Sequence, residues 1–174
     1  NAKAYYYLGN LYEEKNELTL AENNWKIAAD EYDDKKAQKK LVDYYKDNLT
    51  LRKHYLSLLA DKNNLDAFVK LGDIFTQEKN YGLAFSNYNN FFNATSHLKE
   101  KPTFYMDRID KEKLKFNYGK SCVSLGKFDI AEECFKENKY LCENENIIEV
   151  AKLYESANQF KNAIEYYKLA LHIQ

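Results

Sequence analysis

Two short stretches decide the fold of this chain: residues 5–12 read YYYLGNLY, and residues 21–28 read AENNWKIA. Large residues at spacings of three and four indicate one amphipathic helix in each stretch, and the polar residues 15–17 separate them. Gly9, Ala21 and Ala28 are small enough to let two packed backbones approach closely. The two stretches therefore predict an antiparallel helical hairpin in which Gly9 faces the two alanines.

The same order of small and large residues returns three more times along the chain. The returning positions are Phe68, Leu71, Gly72, Phe75, Ala84, Tyr88 and Phe91, then Tyr118, Gly119, Cys122, Ala131 and Phe135, then Ile147, Val150, Ala151, Tyr154, Ala163, Tyr167 and Ala170. A pattern that recurs at a period of roughly 20–50 residues is typical of a stack of like supersecondary units. The chain is therefore expected to be an array of helical hairpins.

Composition agrees with an all-helical chain. The 174 residues include one Pro and five Gly, so few residues break helices, and 45% are hydrophobic, which is enough for a core. The formal net charge of −1 gives no overall attraction to nucleic acid. No apolar run is long enough to cross a membrane, so no direct membrane insertion is expected.

The pattern resembles the tetratricopeptide repeat, whose first helix carries a large residue, Leu-Gly and Tyr, and whose second helix carries Ala and Phe. Residues 2–35 match best, with Tyr5 in the place of Trp and Trp25 in the place of Phe. The resemblance implies an all-α fold, a right-handed superhelical solenoid of antiparallel helix pairs. In such an array the first helix of each pair lines the concave surface.

Five units are expected in a single array, at residues 2–35, 36–63, 65–98, 112–144 and 144–174. The second is degenerate, because Val42 and Arg52 stand near the places of the glycine and the alanine. The long interval between the third and fourth units predicts an insertion at about 96–110, which contains Pro102. The insertion is either a plug that folds back on its own hairpin or an interface with a partner. The predicted helices run to both ends of the sequence without a polar capping segment, and we therefore expect a segment of a longer protein.

The resemblance also implies a binding surface on the first helices, for an extended or helical segment of a partner protein. The alternative is that these side chains are ordinary solvated residues of their helices. Lys3 and Lys36 belong to the predicted surface, and its apolar members are Tyr6, Val69, Phe116 and Ile148. The complete set of predicted partner-binding residues is Tyr6, Asn10, Glu13, Lys39, Asp43, Asp66, Val69, Asp73, Lys113, Phe116, Lys120, Ile148, Lys152 and Glu155.

Charge is distributed unevenly along the chain. Residues 35–62 contain eight basic and three acidic side chains, a net charge of +5, and residues 129–155 contain eight acidic and three basic ones, a net charge of −5. One interpretation is an acidic partner at the second unit, or head-to-tail self-association of copies through their uncapped ends. The other is that both segments are solvated outer faces.

No motif for catalysis is present in the sequence. His54, His97 and His172 lie in different units without the spacing of a metal site, and the glycines are explained by helix packing. The cysteines, Cys122, Cys134 and Cys142, lack paired spacing, which favours free thiols. We expect neither an enzyme nor a cofactor or metal, and no nucleic-acid partner, because Asp43, Asp66 and Asp73 would repel phosphates on the concave surface.

The sequence therefore predicts a protein-interaction scaffold that works in a multiprotein assembly. The alternative function is a non-catalytic positioning or regulatory segment of a larger enzyme or of a cell-envelope machine. Cysteine use favours a cytoplasmic protein, or a periplasmic or envelope-associated one if an upstream signal or anchor has been removed.

Overall fold

The structure, a computed structural model, describes residues 1–96 and 109–173. Within these ranges the chain forms helices and turns and no strand, which confirms the all-α class. The chain divides into two compact units, residues 1–67 and 68–174. Nearly all of the insertion expected at 96–110, including Pro102, lies outside the described residues, so the choice between plug and interface stays open.

The first unit contains two helical hairpins. Its helices are α1 (Ala2–Glu14), α2 (Leu18–Lys26, continued by a π-helical turn over Ile27–Glu31), α3 (Lys35–Tyr44) and α4 (Leu49–Ala60). Helix α1 packs on α2 and α3 packs on α4, while α2 also contacts α3 and so joins the two hairpins.

Polar residues set the boundaries of these helices. The Asp34 carboxylate accepts a hydrogen bond from the backbone N–H of Ala37 over 2.8 Å, which caps the start of α3. Asn16 and Asp33 adopt φ values of 62° and 53° in the turns before α2 and α3. Asn and Asp tolerate this left-handed conformation better than other non-glycine residues, so the chain reverses direction there without a glycine.

The second unit contains three hairpins. Its helices are α5 (Leu65–Gln77, whose first three residues fall in the first unit), α6 (Tyr81–Ser96), α7 (Lys111–Ser124), α8 (Phe128–Phe135), α9 (Asn144–Ser156) and α10 (Phe160–His172), with a 3-10 turn over Lys139–Cys142. Helix α7 packs on α6, α8 and α9, and α9 packs on α10.

The glycines of the repeat receive aromatic rings, and Gly9 also faces Ala21 as the sequence predicts, since a Cβ added there would lie 3.1 Å from the Ala21 carbonyl oxygen. A Cβ added to Gly9 would lie 2.5 Å from Cδ1 of Trp25, and one added to Gly119 would lie 2.7 Å from Cε1 of Phe135. Gly72 meets the ring of Tyr88 in the same way. In each hairpin the ring comes from the residue four positions after the alanine of the second helix. The small residue is therefore a notch for a side chain, because the ring needs the space that a Cβ would fill.

The two hairpins that lack the glycine differ at the facing position as well. In the second hairpin Val42 occupies the glycine place, and the aromatic place is taken by the smaller Leu56; both are buried. In the last hairpin Ala151 replaces the glycine, and Tyr167 is partly exposed, with its hydroxyl donating to Glu155 over 2.8 Å. A larger residue in the notch thus goes with a smaller or displaced side chain opposite.

Tyrosine–carboxylate hydrogen bonds connect neighbouring hairpins within each unit. Tyr44 and Tyr45 both donate to Glu22 on α2, and Tyr154 on α9 donates to Glu132 on α8. Burial, and then the adjacent carboxylate, raises the pKa of Tyr45 and Tyr154 far above the usual value for a phenol. These phenols therefore stay protonated and keep donating at physiological pH.

Candidate partner-binding surface

In the first unit the predicted surface divides into free and engaged side chains. Lys39 and Asp43 are exposed on α3, and Tyr6 on α1 is partly exposed. Asn10, in contrast, accepts a hydrogen bond from the indole N–H of Trp25 over 3.0 Å, and Glu13 is ion-paired to Lys40 at 2.6 Å. Asn10 and Glu13 therefore hold the first hairpin together and join it to the second.

Asp73 and Lys113 form an interaction network between two hairpins of the second unit. The Asp73 carboxylate accepts hydrogen bonds from the Tyr88 hydroxyl at 2.6 Å and from the Asn117 amide at 3.0 Å, and it pairs with the Lys113 ammonium at 3.4 Å. Burial, followed by the charge of Asp73, raises the pKa of Tyr88 well above its usual range. Asp73 thus acts as an internal acceptor that fixes α7 against α5 and α6.

Three predicted contacts in the second unit are buried, and the expectation that they face a groove was wrong. Val69 is 8% exposed, Phe116 is 3% exposed and Lys120 is 7% exposed. The Phe116 ring stacks on that of Tyr140 at a centroid distance of 5.7 Å, and the Lys120 ammonium pairs with Glu149 at 3.1 Å. Phe116 is enclosed because the 3-10 turn places Tyr140 against it.

The remaining predicted residues lie on α5 and α9. Asp66 is partly exposed in the first turn of α5. On α9, Lys152 and Glu155 are exposed and Ile148 is partly exposed. Glu155 is engaged by Tyr167, so Lys152 and Ile148 are the accessible members of the predicted surface on this helix.

A cavity that was only partly foreseen lies between the beginnings of α1 and α3. Its volume is about 110 Å³, and we call it the lysine cavity, defined by Lys3, Tyr6, Tyr7, Asp34, Lys35 and Lys36. Lys3, Tyr6 and Lys36 belong to the binding surface predicted from the sequence, whereas Tyr7, Asp34 and Lys35 do not. The adjacent lysines that open α3, directly after a capping Asp, are the signal that could have found it.

The lysine cavity is positively charged. The first turns of α1 and α3 contain no acidic residue, whereas those of α5, α7 and α9 contain Asp66, Glu112 and Glu145 respectively. The beginning of a helix carries a partial positive charge, which adds to that of the lysines. The one carboxylate in the cavity, that of Asp34, already accepts the capping hydrogen bond from Ala37.

Apolar side chains are exposed at the outer surfaces of the first and the last hairpin. Leu8 and Leu11 on α1 are 40% and 56% exposed and line an open cavity of about 510 Å³. On α10, Phe160 and Ile164 are 59% and 52% exposed. Such faces are the surfaces through which repeats stack. Self-association through them stays a prediction.

Two thiols of the second unit, those of Cys122 and Cys134, are poor nucleophiles. Burial raises the pKa of Cys122 to about 12 and that of Cys134 to about 11, so both are protonated at neutral pH. Over residues 1–96 and 109–173, no cluster of His, Cys, Asp and Glu could hold a metal ion. No helix in the described part of the chain is both long and apolar enough to span a membrane.

Comparison with known proteins bears on the repeat pattern directly. Residues 147–174 match the family model of the tetratricopeptide repeat. The last hairpin is similar to a tetratricopeptide repeat. The match falls on the hairpin of α9 and α10, where Ala151 stands in the glycine notch, and it confirms the resemblance drawn from the sequence.

Solved structures extend the tetratricopeptide fold to nearly the whole chain. MamA AMB-1 is 20% identical with a TM-score of 0.62, over 98% of this chain and 97% of that one. MamA MSR-1 is 20% identical with a TM-score of 0.61, over 99% and 95%. PilF of Pseudomonas aeruginosa is 18% identical with a TM-score of 0.50, over 99% and 76%. A search of the curated proteins found no match. At these identities the likeness shows that the chain has the fold of a tetratricopeptide-type helical array.

Proposed function

We propose that this chain is a non-catalytic protein-interaction module that holds a segment of a partner protein against the first helices of its hairpins and so contributes to a multiprotein assembly. The observation that carries the proposal is the lysine cavity, an open and charged site between two successive first helices. Tetratricopeptide-type arrays expose their first helices side by side, so a segment that crosses the cavity contacts more than one hairpin.

The division of the predicted surface supports a binding site in the first unit. Val69, Phe116 and Lys120 belong to the interior of the second unit, so they offer no contact to a partner. In the first unit Tyr6, Lys39 and Asp43 remain accessible near the lysine cavity. A mixture of an aromatic ring and charges of both signs is typical of a surface that recognises a polar segment with an apolar anchor.

The protonated thiols support a non-catalytic role. A cysteine nucleophile requires a thiolate at neutral pH, and the pKa values of Cys122 and Cys134 are raised rather than lowered. The glycines of the repeat and the aromatic rings beside them serve in helix packing.

Site-specific photo-crosslinking tests the proposal. A photoreactive amino acid replaces Lys39 on α3 in one variant and Ser57 on α4 in a matched control; both positions are exposed. In lysate of the source organism, the variant at position 39 should form a discrete adduct with a partner protein, which mass spectrometry identifies, and the variant at 57 should not. Tyr6→Ala should weaken the adduct. Equal crosslinking from both positions, or none from position 39, would refute binding on the first helices.

A further inference from the structure

We infer that the lysine cavity binds an acidic peptide segment of the partner, with one apolar side chain inside the cavity and flanking carboxylates on Lys3, Lys35 and Lys36. This inference rests on the proposed function and specifies the chemistry of the partner. It stands on the cavity itself, on the charges of its walls and on the residues that surround it.

The positive charges of the cavity walls are only partly compensated within the chain. The lining includes three lysines and one carboxylate, that of Asp34, which caps α3 through Ala37 at 2.8 Å. Asp33, next to the cavity in sequence, also interacts electrostatically with Lys35, but it is already paired with Lys62. Within residues 1–96 and 109–173, no carboxylate lies within ion-pair distance of Lys3, Lys35 or Lys36. Other lysines of the same unit are paired, such as Lys40 with Glu13 and Lys62 with Asp33. An acidic segment would supply the missing partners.

The lysines also occupy positions that disfavour them in the free protein. A cation in the first turn of a helix is repelled by the partial positive charge of the helix beginning. Lys3 lies in the first turn of α1, and Lys35 and Lys36 lie in that of α3. A bound anion reverses the sign of this effect, because it interacts favourably with both the lysines and the helix beginnings.

The size and lining of the cavity select a peptide side chain. A volume of about 110 Å³ corresponds to roughly four water molecules in the liquid, whereas pockets for small molecules measure roughly 300–1,000 Å³. Tyr6 and Tyr7 pack edge to face with ring centroids 5.3 Å apart and provide an apolar wall with polar tips. One apolar side chain fits such a space, and the lysines at its rim meet the residues on either side.

The surroundings favour an acidic peptide over a nucleic acid. Asp34 is part of the cavity wall, Asp43 is exposed further along α3, and Glu13 is half-buried on α1. A nucleic acid carries a phosphate at every nucleotide and would place some of them near these carboxylates. A peptide carries negative charge only at its acidic side chains, so it can bind the lysines without placing a charge next to these carboxylates.

Fluorescence anisotropy with the full chain tests the inference. The probe is a fluorescein-labelled peptide with glutamates on both sides of one phenylalanine, and its control has glutamine in place of each glutamate. We expect the glutamate peptide to bind at least about ten-fold more tightly, and less tightly as salt rises. Lys36→Glu should weaken its binding by about ten-fold or more, and Lys46→Glu, the same charge change in the turn after α3, by less than about three-fold. Lys36→Glu places an acid in the first turn of α3, so its melting temperature should not fall, which separates lost binding from unfolding.

Each other outcome overturns the inference. Equal binding of the glutamate and glutamine peptides, or equal losses from Lys36→Glu and Lys46→Glu, would remove the acidic recognition. Tighter binding of a single-stranded oligonucleotide with the same dependence on Lys36 would replace the peptide by a nucleic acid. If crosslinking from position 39 finds a partner and the glutamate peptide does not bind, the proposed function stands and this inference falls. If both fail, both are wrong.

Discussion

The indole N–H of Trp25 donates a hydrogen bond to the side-chain oxygen of Asn10 over 3.0 Å, and the same ring occupies the notch at Gly9. The first helix of the hairpin thus holds the Trp25 side chain by two contacts, the packing of its ring at Gly9 and the hydrogen bond of its N–H to Asn10. The Lys40 ammonium lies 4.9 Å from the centre of this ring, so the contact also reaches the second hairpin.

Removing the acceptor should destabilise the first unit. Asn10→Leu leaves the buried Trp25 N–H without a partner, and an unsatisfied buried donor costs about 1–3 kcal/mol. Asn10→Asp keeps an acceptor and should cost less. Urea denaturation followed by tryptophan fluorescence measures both, because Trp25 is the only tryptophan in the chain. Equal stability of Asn10→Leu and the unaltered protein would show that the hydrogen bond contributes nothing.

Filling the notch should also destabilise the protein. In Gly9→Ala the new methyl group meets the Trp25 ring at 2.5 Å, so ring or helix must move. Overpacking of this kind costs about 1–3 kcal/mol. Gly82→Ala is the matched control: it is also helical, its new methyl group meets nothing closer than 4.0 Å, and it should be neutral or stabilising. The melting temperatures of the two variants should therefore shift in opposite directions or by clearly different amounts.

Truncation of Phe116 should act on stability. The ring is enclosed by Tyr140 and Phe135, so Phe116→Ala leaves a void and should cost about 3–5 kcal/mol. Ile148→Ala, at a partly exposed position of the same predicted surface, should cost much less. Chemical denaturation distinguishes the two. A small and equal loss of unfolding free energy in both variants would contradict the burial of Phe116 and support its place on the binding surface.

The stability of the second unit should decline in acid through Asp110. Hydrogen bonds from the Tyr140 hydroxyl at 2.7 Å and from the backbone at Lys113, with Lys139 nearby, lower the pKa of the Asp110 carboxyl to about 2. The folded pKa lies below the unfolded one, near about 3.9. The contribution is therefore complete above about pH 4 and is lost as the pH falls through about 2.

Asp110→Asn removes this titration and keeps the side-chain oxygen that caps α7. The denaturation midpoint of the variant should be lower than that of the unaltered protein at neutral pH, and the two should converge between about pH 4 and pH 2. Asp129→Asn, at an exposed position in the first turn of α8, is the control for removal of one charge. Parallel pH profiles for the protein and Asp110→Asn would contradict the prediction.

The small-and-large periodicity was sufficient to predict the all-α class, because packing of paired helices requires small residues at regular places. It did not predict which atoms meet in the notch. Gly9 lies opposite Trp25 because the ring is the group that requires the space, and residue spacing alone does not distinguish the ring from the alanine four positions earlier.

The prediction of the site failed where distant contacts decide burial. Lys120 is enclosed through Glu149, which is 29 residues away, and Phe116 through Tyr140, which lies in the 3-10 turn between the last two hairpins. The lining of the lysine cavity was predicted only in part from the sequence, for the same reason. It combines the beginnings of two helices that belong to different hairpins, and the periodicity within one hairpin contains no information about that juxtaposition.

The fit between glycine and ring constrains how this chain can diversify. A mutation that enlarges one side is tolerated only with a compensating reduction on the other, and Val42 with Leu56 is such a combination already present. Relatives should therefore show correlated changes at these two places within each repeat. Transplanting one helix of a hairpin without its partner helix into another array would therefore leave a notch without its ring, or a ring without its notch.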